Sequence, residues 1–566
     1  MPDKRDVSVG VLVEKLKSGE LRLPELQRPY VWTAVQVRDL LDSLYRRYPA
    51  GSILAWNSPR ETPERDAAVV QEERHAEGEQ LLLLDGQQRL TSLAAVMRGE
   101  PVRVRGHDKS VTIAFNLDHP THLDEVTEVE EDGDEDDVDD DNAQPATKAV
   151  LEAIKSKTFV VGSKAVFADK RWVKVADVFS KTDTQILKTI GINSDHKDWD
   201  RYSERLAAVR AIQSYEFVMH VLERSRAYDE VAEIFVRVNS RGTKLRSSDL
   251  ALAQITAKWQ GVLDVLEDYL DHCEKSDFDL EIGLPVRAMV VFATRQSRFK
   301  SLASVSAARL KEAWPKAKDG LDFAINLLRE NWNVGDEALL SSPYFLIVVA
   351  VFAMLRKREL SEVDERELQH WFLVANMFAR YSGSSETTLD ADLGTLYSGG
   401  VPSDLLSVVK QQFGRTRLNP NDFDFRQTRS PLFNAVYLAL RARGAKDWKS
   451  GLAFSLHHLG NSHQIEFHHI FPKAVISGRY EKKEVNEIAN MAFLSSSKNK
   501  HLGKTKPEIY LPNISADLLK RHAIPTQPDL WRVENYREFL AARRQLLAEA
   551  VNQHLDSVMN GAPPAA

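Results

Sequence analysis

Two adjacent imidazoles, His468 and His469, close a short run of β-branched and aromatic residues, His463-Gln-Ile-Glu-Phe-His-His-Ile-Phe-Pro472. A second apolar run, Met491-Ala-Phe-Leu494, is opened by Asn490, and Asn499 follows between Lys498 and Lys500. The pattern predicts strand, loop, strand and the start of a helix, with imidazoles and a carboxamide converging at one end. A neutral imidazole and a carboxamide oxygen can hold one divalent cation and leave positions open for water and phosphate. A second, unligated imidazole beside the cation is suited to general-base work, because its pKa lies near working pH. A His-His pair alone is more often ordinary surface or core polarity. Pro472, Asn490 and the Lys-Asn-Lys context reverse that balance.

The order His468-His469, Asn490, Asn499, with Pro472 three residues after the second histidine, resembles the HNH (ββα-metal) nuclease motif. The resemblance implies that His468 and Asn499 are ligands to one Mg²⁺ or Mn²⁺ and that His469 is the general base. It implies that Asn490 holds the loop and orients that base, and that Lys500 or Lys504 contacts the scissile phosphate. Many HNH proteins carry an acidic residue where this chain has His468, so the site is expected to be less anionic.

A second stretch, Gln80-Leu-Leu-Leu-Leu84-Asp85-Gly86-Gln87-Gln88-Arg89-Leu-Thr-Ser-Leu93, predicts a fully buried strand, a tight turn and a helix with Leu90, Leu93, Ala94 and Met97 on its apolar face. A helix N-terminus directly after a strand offers backbone N–H groups to phosphate. Arg89 in its first turn can add a two-pronged contact. Asp85 could coordinate Mg²⁺ or orient a ribose or a water. Three segments together are more specific: Gln27-Arg28-Pro-Tyr-Val-Trp32, then Asp85 to Arg89, then Phe235-Val-Arg-Val-Asn239-Ser-Arg241-Gly-Thr-Lys-Leu245. They resemble the ParB-like nucleotide-binding domain at the N-terminus of GmrSD-type modification-dependent restriction endonucleases and of the related phosphorothioate-sensing defence nucleases. That resemblance covers roughly residues 8–255. It implies binding and hydrolysis of a nucleoside triphosphate by Gln27, Arg28, Asp85, Gly86, Gln87, Gln88, Arg89, Asn239 and Arg241. No P-loop pattern occurs in the sequence.

The elements that must position these residues follow from periodicity. Thr33 is placed to cap a helix bearing Val37, Leu40, Leu41, Leu44, Tyr45 and Tyr48 on one face, and residues 52–56 read as a strand. Strands are predicted near 101–105, 110–116 and 214–222, and helices near 147–156, 202–212 and 227–239. Between 250 and 400 the period is helical throughout: 250–269, 285–294, 303–313, 320–331, 342–356 and 365–381. Trp259, Trp314, Trp332 and Trp371 read as core. A last helix at 533–555 is expected to close the C-terminal part with Leu540, Arg543, Arg544 and Leu547.

With 566 residues the chain exceeds one hydrophobic core, and its 43% hydrophobic and 28% charged residues are those of a soluble globular protein. The longest apolar run, Tyr344 to Leu355, is too short for a bilayer and reads as a buried helix. No signal-peptide pattern opens the sequence, and the single Cys273 can form no disulfide within it, so a reducing cytoplasm is the expected setting. The formal charge of −7 conceals two parts. Residues 124–141 carry thirteen acidic and no basic side chains, and removing those charges leaves +6. From residue 401 onward 23 basic face 15 acidic residues, a basic module suited to a polyanion. The acidic run at 124–142 is expected to be a solvated insertion, with a DNA-mimicking mask of the basic surface as the weaker reading.

The sequence therefore reads as α+β and multidomain. A ParB-like α/β sensor domain occupies 1–255, a helical middle 256–400, and an HNH nuclease embedded in helices 401–566, its core at 462–510. The expected function is an antiphage endonuclease cleaving modified phage DNA with Mg²⁺ or Mn²⁺, regulated by NTP, cytoplasmic, a possible homodimer and without membrane partner. The rival readings are an NTP-switched DNA-binding regulator with an inactive HNH site and an RNA-cleaving abortive-infection toxin.

Overall fold

The computed structural model describes residues 3–24, 32–58, 64–65, 81–100, 102–104, 107–109, 112–120, 154–226, 228–239, 247–448, 457–459, 462–464, 467–493 and 505–561. The acidic run at 124–142 and most of the helix expected at 147–156 lie outside these residues. The fold is mixed α+β, and the chain divides into two compact units, Met1–Asp264 and Val265–Ala566. The second unit holds both residues 401–566 and nearly all of the helical stretch that the sequence reading set apart.

The first unit runs β1 (Asp3–Ser8), α1 (Val9–Lys17), β2 (Leu21–Pro24), α2 (Ala34–Tyr45), β3 (Ile53–Asn57), β4 (Glu64–Arg65), β5 (Leu81–Asp85) and α3 (Gln87–Arg98). A hairpin of β6 (Val102–Val104) and β7 (His107–Lys109) follows, then β8 (Ile113–Asn116), β9 (Phe159–Val161) and β10 (Trp172–Lys174), which make a separate three-stranded sheet. β11 (Glu216–Leu222) rejoins the main sheet, whose order is β1-β11-β3-β5-β2-β4. β5 lies near its centre, antiparallel to β3 and parallel to β2.

The four leucines of β5 explain the layering. Leu81 and Leu83 pack with α1, α2 and α3 through Leu12, Val37, Leu41, Leu90 and Leu93. Leu82 and Leu84 pack on the opposite face with Trp56, Val231 and Phe235. A strand buried on both faces reads as an unbroken apolar run, and burying each leucine contributes about 1.5–3 kcal/mol. Thr33 caps α2 through a capping box with Gln36, as its position predicts. The helix stops at Tyr45, however, and Tyr48 lies beyond it, 54% exposed rather than on the apolar face. The reason is tertiary: the Tyr215 hydroxyl donates to the Tyr48 carbonyl at 3.0 Å and accepts from the Ala50 N–H at 3.1 Å, fixing a turn there.

In the second unit the helix Tyr344–Leu355 is buried from Phe345 to Ala353, as its uniform apolarity predicts. Trp314, Trp332 and Trp371 are core; Trp259, at the end of the first unit, is half-buried. Two expectations differ. The helix expected over 250–269 is two, Ser247–Lys258 and Val262–Glu274, separated at Gly261. The helices expected at 303–313 and 320–331 are one, Ala307–Asn326, which runs through Pro315 and ends in a π turn. Gly320 marks no break there. A Cβ on it would lie 3.1 Å from the Ala350 side chain, so it is a close-packing position against Tyr344–Leu355.

Candidate functional site

β14 (Phe467–His469) pairs antiparallel with β15 (Met491–Phe493), with His468 opposite Ala492 and His469 opposite Met491. A separate hairpin, β12 (His457–Leu459) with β13 (Ser462–Gln464), precedes them. The chain between β14 and β15 carries two short helical turns, Lys473–Ile476 and Lys482–Val485. Ile470, Phe471, Ile476, Val485 and Ile488 are its buried anchors.

Asn490 is fully buried at the start of β15 and its carboxamide stitches this loop together. Its Oδ1 accepts from the Phe471 N–H at 2.8 Å, and its Nδ2 donates to the carbonyls of Phe471 and Val485 at 3.1 and 2.9 Å. The side chain thus fixes the backbone two residues after His469. Tyr510 adds a hydroxyl bond to the Ile470 carbonyl at 2.8 Å, the residue next to His469.

His468 is buried, 9% exposed. His469 is half-buried, and its Nε2 lies 3.2 Å from Oδ1 of Asn486, a partner that sequence reasoning missed. Burial, with the Lys473 ammonium and His468 adding to it, pushes the His469 imidazole down to about 4, opposed by the Asn486 contact. The shift puts His469 on the neutral side at ordinary pH, and below the range near working pH that the sequence alone led one to expect. Asn499, Lys500 and Lys504 lie outside the described residues. Among the described residues no group of three or more His, Cys, Asp or Glu gathers as a metal cluster. An imidazole-plus-carboxamide pair would not form such a group, and the buried His468 imidazole is of a type suited to one ligand position.

The loop is clamped by the C-terminal helix Tyr536–Asn560. Arg537 holds Glu484 with two bonds, at 2.7 and 3.2 Å, and the Tyr536 hydroxyl donates to the Glu484 carbonyl at 2.7 Å. Arg543, fully buried and pulled down to about 9 by burial, donates to the Ala489 carbonyl at 3.1 Å. The sequence placed Arg543 and Arg544 on this helix. The Ala489 carbonyl that Arg543 reaches, 54 residues earlier in the chain, carries no local signal.

In the first unit the turn after β5 is equally defined. Gly86 has φ +97°, and a Cβ there would sit 2.4 Å from Ile53 Cδ1, so the turn admits glycine alone. Gln87 is buried, and Gln88 Oε1 accepts from the Trp32 N–H at 3.2 Å. Arg89 donates from Nη1 to the Ala50 carbonyl at 2.7 Å, and from Nη2 to the Ser52 carbonyl at 2.8 Å and to Asp85 Oδ2 at 3.2 Å. Gly51, at φ +89°, leaves room for that guanidinium; a Cβ would lie 2.4 Å from Nη1. Arg89 thus ties the α3 N-terminus to the 50–52 loop, a role that its position in the sequence does not announce. Asn239 ends the helix Tyr228–Asn239, which packs on β5 through Val231 and Phe235. Gln27, Arg28 and Arg241 lie outside the described residues.

Residues 9–256 match the family model described as the GmrSD restriction endonuclease, N-terminal domain. Over 546 residues the chain is 21% identical to an uncharacterized protein of Methanocaldococcus jannaschii, covering 88% of this chain and 85% of that protein. Among the described residues no helix is long and apolar enough to cross a membrane.

Proposed function

We propose that this chain is a restriction-type defence nuclease that hydrolyses phosphodiester bonds of modified foreign DNA in an HNH site at 462–510, under the control of a nucleoside triphosphate at the Asp85–Arg89 turn. The observation that carries the reading is the match of residues 9–256 to a restriction-endonuclease domain, ahead of a loop in which Asn490 braces the His468-His469 strand.

In this reading neutral His469 takes the proton of the attacking water, and Asn490 keeps the loop from relaxing away from it. His468 and Asn499 would hold the Mg²⁺ or Mn²⁺, which when bound supplies positive charge for the phosphorane and the leaving oxygen. Lys500 would meet the scissile phosphate. In the first unit, backbone N–H groups at the start of α3 would receive phosphate, with Gln27, Arg28, Asn239 and Arg241 around it. Arg89 keeps the turn and the 50–52 loop in one shape, and Asp85 would orient a cation or a water.

The test is digestion of modified and unmodified phage DNA, with labelled RNA alongside, in Mg²⁺ or Mn²⁺ with and without each NTP. Metal-dependent cutting of modified DNA that His469→Ala lowers by about 10²–10⁴-fold supports the reading. Cutting by His469→Ala at the wild-type rate, or cutting of RNA alone, overturns it.

A further inference from the structure

Asn486 follows the turn Lys482–Val485 and reaches across the loop to His469 Nε2 at 3.2 Å. Its backbone is fixed on both sides. The Val485 carbonyl accepts from Asn490 Nδ2, the Asn486 N–H donates to the Lys482 carbonyl at 3.2 Å, and Glu487 is held by Arg544. A carboxamide oxygen can only accept, so a bond from Nε2 to Oδ1 requires the hydrogen on Nε2. The lone pair then belongs to Nδ1. Among the described residues, the polar groups that act on this ring are Lys473, Asn486 and His468, none of them a carboxylate. The ring is thus oriented by a neutral partner, which fixes its tautomer without adding negative charge beside a phosphodiester.

We propose that Asn486 is a positioning residue that locks His469 as the Nε2–H tautomer and presents Nδ1 as the nitrogen that accepts the proton of water. The inference rests on the nuclease reading for its catalytic meaning, and its structural half can be tested apart from cleavage.

The full chain, labelled with ¹⁵N-histidine, gives two-bond ¹H–¹⁵N correlations that distinguish the tautomers, with His469 assigned by the signals lost in His469→Ala. Wild type and Asn486→Asp, which keeps an accepting oxygen, are expected to show hydrogen on Nε2. Asn486→Leu is expected to show Nδ1–H or a mixture. In cleavage assays Asn486→Leu should lower kcat by about tenfold or more with KM changed less than about twofold, and Asn486→Asp should recover most of the rate. Should Asn486→Leu fail to fold, Asn486→Ala makes the same comparison. Hydrogen on Nδ1 in wild type, or an unchanged tautomer in the leucine or alanine variant, overturns the proposal. If no cleavage occurs in wild type while the tautomer responds as expected, the nuclease reading falls and with it the catalytic use of Nδ1, whereas the Asn486–His469 lock stands.

Discussion

Arg544 grips Glu487 with two parallel hydrogen bonds, Nε to Oε1 at 2.6 Å and Nη2 to Oε2 at 2.7 Å, and places its third nitrogen 2.7 Å from Asp424. The Glu487 side chain is 0% exposed and sits three residues before Asn490. Burial pulls its carboxyl upward while Arg544 opposes, and Glu487 raises the Arg544 guanidinium in turn. We read the pair as ionised, because the guanidinium keeps its proton and both carboxylate oxygens are satisfied. Arg544→Ala leaves a buried carboxylate without its partner and should cost about 3–5 kcal/mol in urea unfolding. Arg544→Met with Glu487→Leu should recover much of that loss, since removing both charges removes the desolvation penalty. Equal destabilisation by single and double variants would show that the pair does not bear the load assigned to it.

Asn490 makes three buried hydrogen bonds, and each of its amide atoms is used. Asn490→Ala should destabilise the protein by about 2–4 kcal/mol through unsatisfied backbone groups. Asn490→Asp should be nearly as damaging, because a carboxylate cannot donate to Phe471 and Val485. Thermal melts of the two variants decide the matter; an aspartate variant as stable as wild type would contradict the donor assignment.

Arg89→Lys should behave closer to Arg89→Ala than to wild type. Lysine keeps the charge but cannot span the carbonyls of Ala50 and Ser52 and the Asp85 carboxylate in one plane. Both variants should speed amide hydrogen exchange at 50–52 and weaken NTP binding together, if the loop shapes the nucleotide pocket. Weakened binding without altered exchange would instead mean that Arg89 meets the nucleotide itself. Gly51→Ala should reproduce the loop effect, because its Cβ would occupy the position of Nη1.

The second unit should lose stability in mild acid. His522 is buried, with Nε2 2.8 Å from the Lys446 carbonyl, and burial pushes its imidazole down to about 4; His554 is likewise pushed down to about 4. A histidine whose folded pKa lies below its unfolded value binds protons preferentially when unfolded. Stability is therefore full above the unfolded value near 6.5 and falls toward pH 4, by at most about 1.4 kcal/mol per pH unit for each such group. Unfolding free energies measured between pH 7 and 4.5 should show this slope, and His522→Gln should flatten it. An unchanged slope in that variant would place the acid sensitivity elsewhere.

The elements that local chemistry specifies were legible in the sequence. The buried strand of leucines, the Thr33 cap, the Asp-Gly turn and the strand ending in His468-His469 each follow from side-chain period or capping within a dozen residues. The loop-holding part of Asn490 was legible too, because the resemblance placed it at the mouth of a strand. What only the tertiary structure decided are relationships between segments distant in the chain. Residue 320 reads locally as the start of a helix, yet Gly320 lies inside one, so close to Tyr344–Leu355 that a Cβ would come 3.1 Å from the Ala350 side chain. Arg89 reads as a phosphate ligand, and only the fold shows that its donors also reach backbone carbonyls on a loop 37 to 39 residues away. Asn486 carries no motif at all and becomes legible only when the loop folds it back 17 residues onto His469. Local sequence sets φ, ψ and the side-chain period. The partner of a buried polar group is set by which distant surface the chain must cover, and that is fixed when the hydrophobic layers close.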